Sequence, residues 1–263
     1  MPYQPIVVFA ENLAEAWVKA LKELIEKGYE RFIEAPDYRC KQKDAPTFIH
    51  VPNALAEPRL HERVPFPKEE AEEYAKNVIH GMGNVDKENE FDYTYFARFR
   101  CYPDCEVRAN WPNVVPPEKL EETKERLCEG RCKVQIFDQV KLAIDTLRRD
   151  PTRRSVVLVS WIVARDSIKF GPKREKTSSP CIVLIQPQIA EEKLHLFVYM
   201  KTNDLFNAFP LNAYAMTELQ RYMAKEIGVD VGSYTHFVSS MNLYEDVYEL
   251  AEEVVKSESK TSS

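Results

Sequence analysis

Two β-rich apolar runs, "CIVLIQPQI" (Cys181–Ile189) and "KLHLFVYMKT" (Lys193–Thr202), are joined by the short connection "AEEK". So short a link closes an antiparallel hairpin, because a parallel pair needs a crossover of a dozen or more residues. Everything downstream has to pack around that hairpin. "PLNAYAMTELQRYMAKEIG" follows as a helix, with proline at its start and Gly228 at its end. "VDVGSYTHFVSSM" returns to strand, "LYEDVYELAEEVVKSE" closes as a helix, and the polar tail 257–263 is expected to fray. "SVVLVSWIVA" upstream reads as a further strand. In the first half, residues 12–28 show helical periodicity through Leu13, Trp17, Leu21 and Leu24. Residues 35–68 read as extended segments such as "TFIHV" joined by turns. "KEEAEEYAKNVIHGM" reads as a charged helix with Tyr74, Val78 and Met82 on its apolar side. Residues 83–133 read as irregular and cysteine-containing. "VQIFDQVKLAIDTLRRDPTRR" reads as a helix with Ile136, Val140, Ile144 and Leu147 on one face, stopped by Pro151. The expectation is one α/β domain over residues 1–263: a mixed sheet with helices packed against it.

Composition narrows the function classes. Only 7 glycines stand against 17 prolines, and no Gly-rich phosphate loop of the dinucleotide or P-loop kind occurs, which disfavours both enzyme types. A formal charge of −6 argues against bulk nucleic-acid binding, since a phosphate backbone rewards a basic footprint. No apolar run approaches the ~20 residues needed to span a bilayer. The N-terminal "MPYQPIVVFAENLAEAW" has no basic leader, so the expected location is the cytoplasm.

Cys181 sits where the polar "TSSP" meets an apolar strand. An unpaired cysteine there is either a small hydrophobe at a strand end or a nucleophile, which needs its thiol deprotonated by nearby positive charge or donors.

The neighbouring segments decide between these readings. "DPTRR" (Asp150–Arg154), "VVLVSW", "SPCI", Gln186, "YMKTND" (Tyr199–Asp204), "NAFPLNAYA" (Asn207–Ala215) and "MNLYED" (Met241–Asp246) stand in order. That order resembles the thymidylate synthase family and its relatives, the pyrimidine-nucleotide hydroxymethylases. There the matching segments are "DPxSRR", "IIVSAWN", "PPCH", "QF", "YQRSxD", "LGLPFNIAxYA" and "GDxHLYxNH". Upstream, "YTYFARFR" and "FDQVKLAIDTL" look like that family's "VYGxxWR" and "DQI" helix. The resemblance spans residues 91–250, as in a short, archaeal-type member. It implies an α+β fold with a mixed, mostly antiparallel sheet, dimerising through the sheet.

The resemblance also implies an activity, reductive methylation of dUMP at C5 with methylene-tetrahydrofolate or a related methylene-pterin. Cys181 would be the nucleophile adding to C6, Tyr95 would order active-site water, and Asn212 would read the uracil edge. Arg153 and Arg154 would hold phosphate across the interface of a homodimer with shared sites, a one-residue offset leaving open which matches which. Gln186, Lys201, Thr202, Asp204, Asn242 and Tyr244 would complete the substrate surface, with Asn242 and Tyr244 at the sugar hydroxyl. The sequence departs from the pattern at Asn242, where the family has histidine, at Ile182 after the cysteine, and in lacking the phosphate loop "DRTGT", for which Arg39 and Arg59 are the candidates. Two other readings stay open: a dUMP or dCMP hydroxymethylase, in which water completes the reaction, and a non-catalytic nucleotide-binding relative.

Outside this pattern lie "CYPDC" (Cys101, Cys105) and "CEGRC" (Cys128, Cys132). Two C-x₃-C pairs at this spacing suit a structural zinc, an iron–sulfur cluster, two disulfides in a thermophile, or none of these.

Overall fold

The computed structural model describes residues 3–35, 38–81, 93–105, 134–166 and 179–261, with isolated positions 119 and 122. The chain opens with β1 (Ile6–Phe9) and α1 (Leu13–Lys27), then β2 (Tyr29–Ala35) and the long β3 (Tyr38–Val51). α2 (Lys68–His80) and α3 (Tyr95–Arg100) follow, with a ribbon of β4 (Tyr102–Cys105) and β5 (Val134–Phe137). Next come α4 (Gln139–Arg149), β6 (Leu158–Val159), α5 (Val163–Asp166), β7 (Ile182–Ala190), β8 (Lys193–Met200) and β9 (Asn203–Asp204). α6 (Phe209–Ile227), β10 (Asp230–Tyr244), a 3₁₀ turn and α7 (Tyr248–Thr261) close the chain.

The main sheet runs β1-β3-β10-β8-β7-β6, with β2 paired to β3 and β9 to β10. It is mixed: β10 lies antiparallel to β3 but parallel to β8, and β7–β8 is the expected antiparallel hairpin. That hairpin turns through Glu191 and Glu192, at φ 51° and 59°. Left-handed backbone at both central residues matches strand twist and costs a non-glycine about 1–2 kcal/mol per residue. The ladder from Ala190–Lys193 to Leu184–Tyr199, which shifts register before Ile182–Met200, compensates.

The two faces of the sheet differ. Leu194, Leu196, Val198 and Met200 alternate along β8 into the core, joined by Ile6, Val8, Ile49, Tyr234 and Val238. α1 and α6 cover this face, Asn12 capping α1 and Gly228, left-handed at φ 93°, ending α6. The opposite face leaves Val7, Phe9, Phe197 and Phe237 exposed, Phe9 at 64%.

Four local expectations are corrected. The helix expected from Val134 begins at Gln139, because the Asp138 carboxylate caps the Lys141 N–H at 2.9 Å. Val134–Phe137 pairs with β4 instead, leaving Ile136 exposed. "SVVLVSWIVA" forms only two residues of strand, because side chains take the backbone groups a ladder would use. Gln139 holds both the N–H and the carbonyl of Val159, Arg98 donates to the Ser160 carbonyl, and Asp166 accepts from the Ile162 N–H. Within 83–133, residues 95–105 form α3 and β4, with Thr94 capping the Ala97 N–H. α7 continues to Thr261, through the tail expected to fray. Met82 lies outside the described residues.

Candidate active site

Cys181 stands one residue before β7, half-buried, and its carbonyl accepts the Lys201 N–H at 2.9 Å across the open end of the hairpin. Three tyrosines from two helices and a loop converge on it. Tyr95, near the start of α3, accepts the Ile182 N–H at 3.0 Å. The Tyr93 hydroxyl bonds to Tyr95 and to the Cys181 backbone, and the two rings meet edge to face at 5.6 Å. Tyr74, from α2, completes the group within electrostatic reach of both Cys181 and Tyr93. α3 is anchored by Arg98, whose guanidinium grips buried Asp166 with two 2.9 Å bonds.

Burial pushes the Cys181 thiol above its ordinary value, opposed by the Lys201 ammonium. Burial likewise raises Tyr93 to about 12, helped by the nearby Cys181 charge. Tyr74 and Tyr95 are raised too, first by burial and then by Tyr93 and Cys181. Around neutral pH the thiol therefore faces protonated hydroxyls, which can donate to a developing negative charge.

From Tyr74 a hydrogen-bonded chain leads inward. Its hydroxyl donates to Asn212 Oδ1 at 3.0 Å, and Asn212 Nδ2 donates to Asn203 Oδ1 at 3.3 Å. Asn203 Nδ2 lies 3.3 Å from His236 Nε2, and His236 Nδ1 lies 2.7 Å from the Tyr234 hydroxyl. Sequence reading missed Tyr74, Tyr93, Asn203 and His236. Tyr74 scored as a helix's apolar side, and its partner lies 138 residues away, so no local periodicity signals it.

The description "Thymidylate synthase" fits a family match over residues 71–263. The chain belongs to the thymidylate synthase family. It is 27% identical over 254 residues to a Methanosarcina mazei protein named "Putative thymidylate synthase", covering 95% of this chain and 94% of that one. A Methanocaldococcus jannaschii protein of the same name is 29% identical over 236 residues, 89% of each chain, and a Methanosarcina acetivorans one is 26% identical over 250 residues, 95% of this chain and 94% of that one.

The other thymidylate synthase positions fall into two groups. Lys201 follows β8 beside Cys181, its ammonium 5.9 Å from the Trp161 ring centroid, with Thr202 half-buried next to it. Asp204 accepts from the Phe206 and Asn207 N–H groups at 2.9 and 3.1 Å, an Asx-type cap leading into α6. Asn242 is buried on β10. Its Nδ2 donates to the Tyr244 hydroxyl at 3.2 Å and to Gln42 Oε1 at 3.4 Å, while its Oδ1 is buried without a partner among the described residues. Arg153 and Arg154 are exposed on the turn after α4. Gln186 lies five residues along β7, roughly 16 Å from Cys181 at strand rise, where its Nε2 donates to the Arg154 carbonyl at 2.9 Å. Arg59 is buried against Glu218 and the Tyr214 ring, and Arg39 pairs with Glu34 at the surface. Cys101 is exposed and free, whereas the Cys105 side chain, Cys128 and Cys132 lie outside the described residues. Among the described residues no group of three or more His, Cys, Asp or Glu could hold a metal, and no helix is long and apolar enough to cross a membrane.

Proposed function

We propose that this protein is a thymidylate synthase acting on dUMP in the cytoplasm, its one-carbon unit and hydride supplied by a methylene-pterin. The observation that carries the reading is the convergence of Tyr74, Tyr93 and Tyr95 on a half-buried Cys181, with Asn212 one hydrogen bond further on. C5 of a pyrimidine is a poor nucleophile. Addition of the Cys181 sulfur to C6 breaks the C5–C6 double bond and moves its electrons toward O4, so that C5 can attack the methylene carbon. Loss of the C5 proton expels the pterin nitrogen and leaves an exocyclic methylene on C5; hydride from the pterin reduces it to methyl as the C6–S bond breaks, releasing the cysteine and an oxidised pterin. Asn212 holds the uracil edge, and the neutral tyrosines stabilise the enolate and its water. Asn242 Oδ1, buried and unpartnered, accepts a sugar hydroxyl, with Tyr244 beside it. Lys201 and Thr202 hold the phosphate on this chain's side.

The enzyme works as a homodimer. The open sheet face, with Phe9, Phe197 and Phe237 exposed, supports burial against a second copy. Gln186 ties the Arg154 backbone to β7 opposite exposed Phe197, which supports Arg153 and Arg154 reaching the partner's phosphate. Lys201 opposes the burial that raises the Cys181 thiol, and a partner's arginines add to that positive charge.

The test is incubation with 5-fluoro-dUMP and a methylene-pterin, followed by intact mass. Fluorine cannot leave C5 as a proton does, so a covalent ternary adduct on Cys181 should accumulate. No adduct, with both ligands shown to bind, rejects the reading. With dUMP itself, a product heavier by hydroxymethyl rather than methyl would reassign the enzyme as a hydroxymethylase.

A further inference from the structure

At the sugar end of the site Asn242 stands where the family pattern has histidine. A neutral imidazole offers a donor or an acceptor by changing tautomer. A carboxamide has one edge of each kind, so what it offers depends on which way round it is held.

Asn242 is 4% exposed, and its Nδ2 has two acceptors, Gln42 Oε1 at 3.4 Å and the Tyr244 hydroxyl at 3.2 Å. Its Oδ1 is buried without a partner among the described residues. The Tyr244 hydroxyl does not set this polarity, because a hydroxyl donates or accepts. Gln42 does. Its Nε2 donates to Asp44 Oδ2 at 3.4 Å, and Asp44 is fully buried. Ser240 donates to Asp44 Oδ1 at 3.0 Å, and Arg31, from β2, pairs with Oδ2 and compensates the buried charge. The row is built by the ladder: Asn242 lies opposite Asp44 and Tyr244 opposite Gln42 on β10 and β3, with Arg31 opposite Gln42 on the other side.

A carboxylate only accepts, so the row has a fixed end. Turning Asn242 over alone sets its Oδ1 against Gln42 Oε1. Turning Gln42 over with it sets Oε1 against the Asp44 carboxylate. No hydroxyl or tautomer stands between Asn242 and Asp44 to absorb the change. Both Gln42 contacts are long, but the preference of a buried charge for the N–H end of an amide is electrostatic and falls off slowly with distance.

We propose that Asp44 and Gln42 are positioning residues that keep Asn242 Oδ1 as the atom offered to the sugar, so that the site selects a sugar hydroxyl able to donate. The inference rests on the reading of Asn242 as the contact to the sugar.

The test compares equilibrium binding of dUMP and its 3′-fluoro-2′,3′-dideoxy analogue to the full-length protein and its variants. Fluorine is close to a hydroxyl in size but has no hydrogen to donate, and base and phosphate are the same in both. Wild type should favour dUMP at least about tenfold, because fluorine leaves buried Asn242 Oδ1 unmet. Gln42→Met removes the link to Asp44 and keeps a side chain of similar length. The Asn242 amide can then turn its N–H edge to the ligand. The analogue should bind more tightly than to wild type, and the ratio should fall at least about fivefold. General damage to the strands would weaken both nucleotides and cannot produce that gain. If Gln42→Met does not fold, Asp44→Ser carries the same expectation, since a hydroxyl lets Gln42 turn. A folded variant whose two affinities fall equally, or whose ratio stays that of wild type, overturns the lock. Asn242→Ala separates the two levels: if it removes discrimination while Gln42→Met does not, only the lock is rejected. Wild type that binds neither nucleotide or both equally, or Asn242→Ala that still discriminates, rejects the sugar reading and takes the lock with it.

Discussion

The two ends of the candidate site are built differently. At the base end every group has a fixed neighbour from the same chain: Tyr95 holds the Ile182 N–H, and Tyr74, Asn212, Asn203, His236 and Tyr234 form one buried file. At the phosphate end Arg153 and Arg154 stand exposed, and Lys201 is half-buried beside Trp161. A buried polar group without a partner is costly, so the base end has to be satisfied within one fold. An exposed guanidinium is satisfied by water and can await a second chain. On the proposed function, one chain then holds a finished base pocket and half of a phosphate site.

The largest effect that would sharpen this contrast is loss of the nucleophile. Cys181→Ser should leave the fold intact and lower turnover by at least about a thousandfold, because a hydroxyl of far higher pKa cannot add to C6. Steady-state dTMP formation together with an unchanged circular dichroism spectrum would check it, and near-normal turnover would remove Cys181 from the mechanism. Next in size is the shared phosphate end. Cys181→Ser and a variant with Arg153 and Arg154 both replaced by Ala should each be inactive alone. Reassembled as heterodimers, they place one intact cysteine opposite one intact arginine pair and should recover about half of wild-type activity per heterodimer. Heterodimers confirmed by native mass yet inactive would break the comparison, because the arginines would then serve their own chain. The smallest effect is electrostatic. Lys201→Ala removes the cation that opposes burial at Cys181. The thiol already titrates above its ordinary value, so its alkylation rate rises toward alkaline pH, and the variant's profile should move further up still. An unchanged iodoacetamide rate–pH profile would show that Lys201 does not act on the thiol.

How much of this was legible in the chain depended on how local the interaction is. The β7–β8 hairpin could be read from "AEEK" between two apolar runs, and α6 from its proline and Gly228, because neighbours in sequence decide both. Cys181, Lys201, Asp204 and Asn212 could be named from the order of short segments. Local reading failed at Val134–Phe137 and at "SVVLVSWIVA", whose apolar patterns are real. There the outcome was set by the Asp138 cap, the β4 partner and Asp166, and by Gln139 and Arg98, whose side chains claim backbone groups 20 and 62 residues away.

The same rule separates what each level determined about the site. The sequence by itself determined which residue types could do the chemistry: a thiol at a strand entrance, a carboxamide at a helix start, and paired arginines after a proline-stopped helix. Only the tertiary structure decided that Tyr74, Tyr93 and Tyr95 meet at that thiol, and that Asn203 and His236 stand behind Asn212. Those contacts join α2, α3, α6 and β10, and a hydrogen bond between side chains more than a hundred residues apart leaves no periodic trace in either segment. It exists because α2 packs against α6 and burial then makes every unmet donor or acceptor too costly to keep.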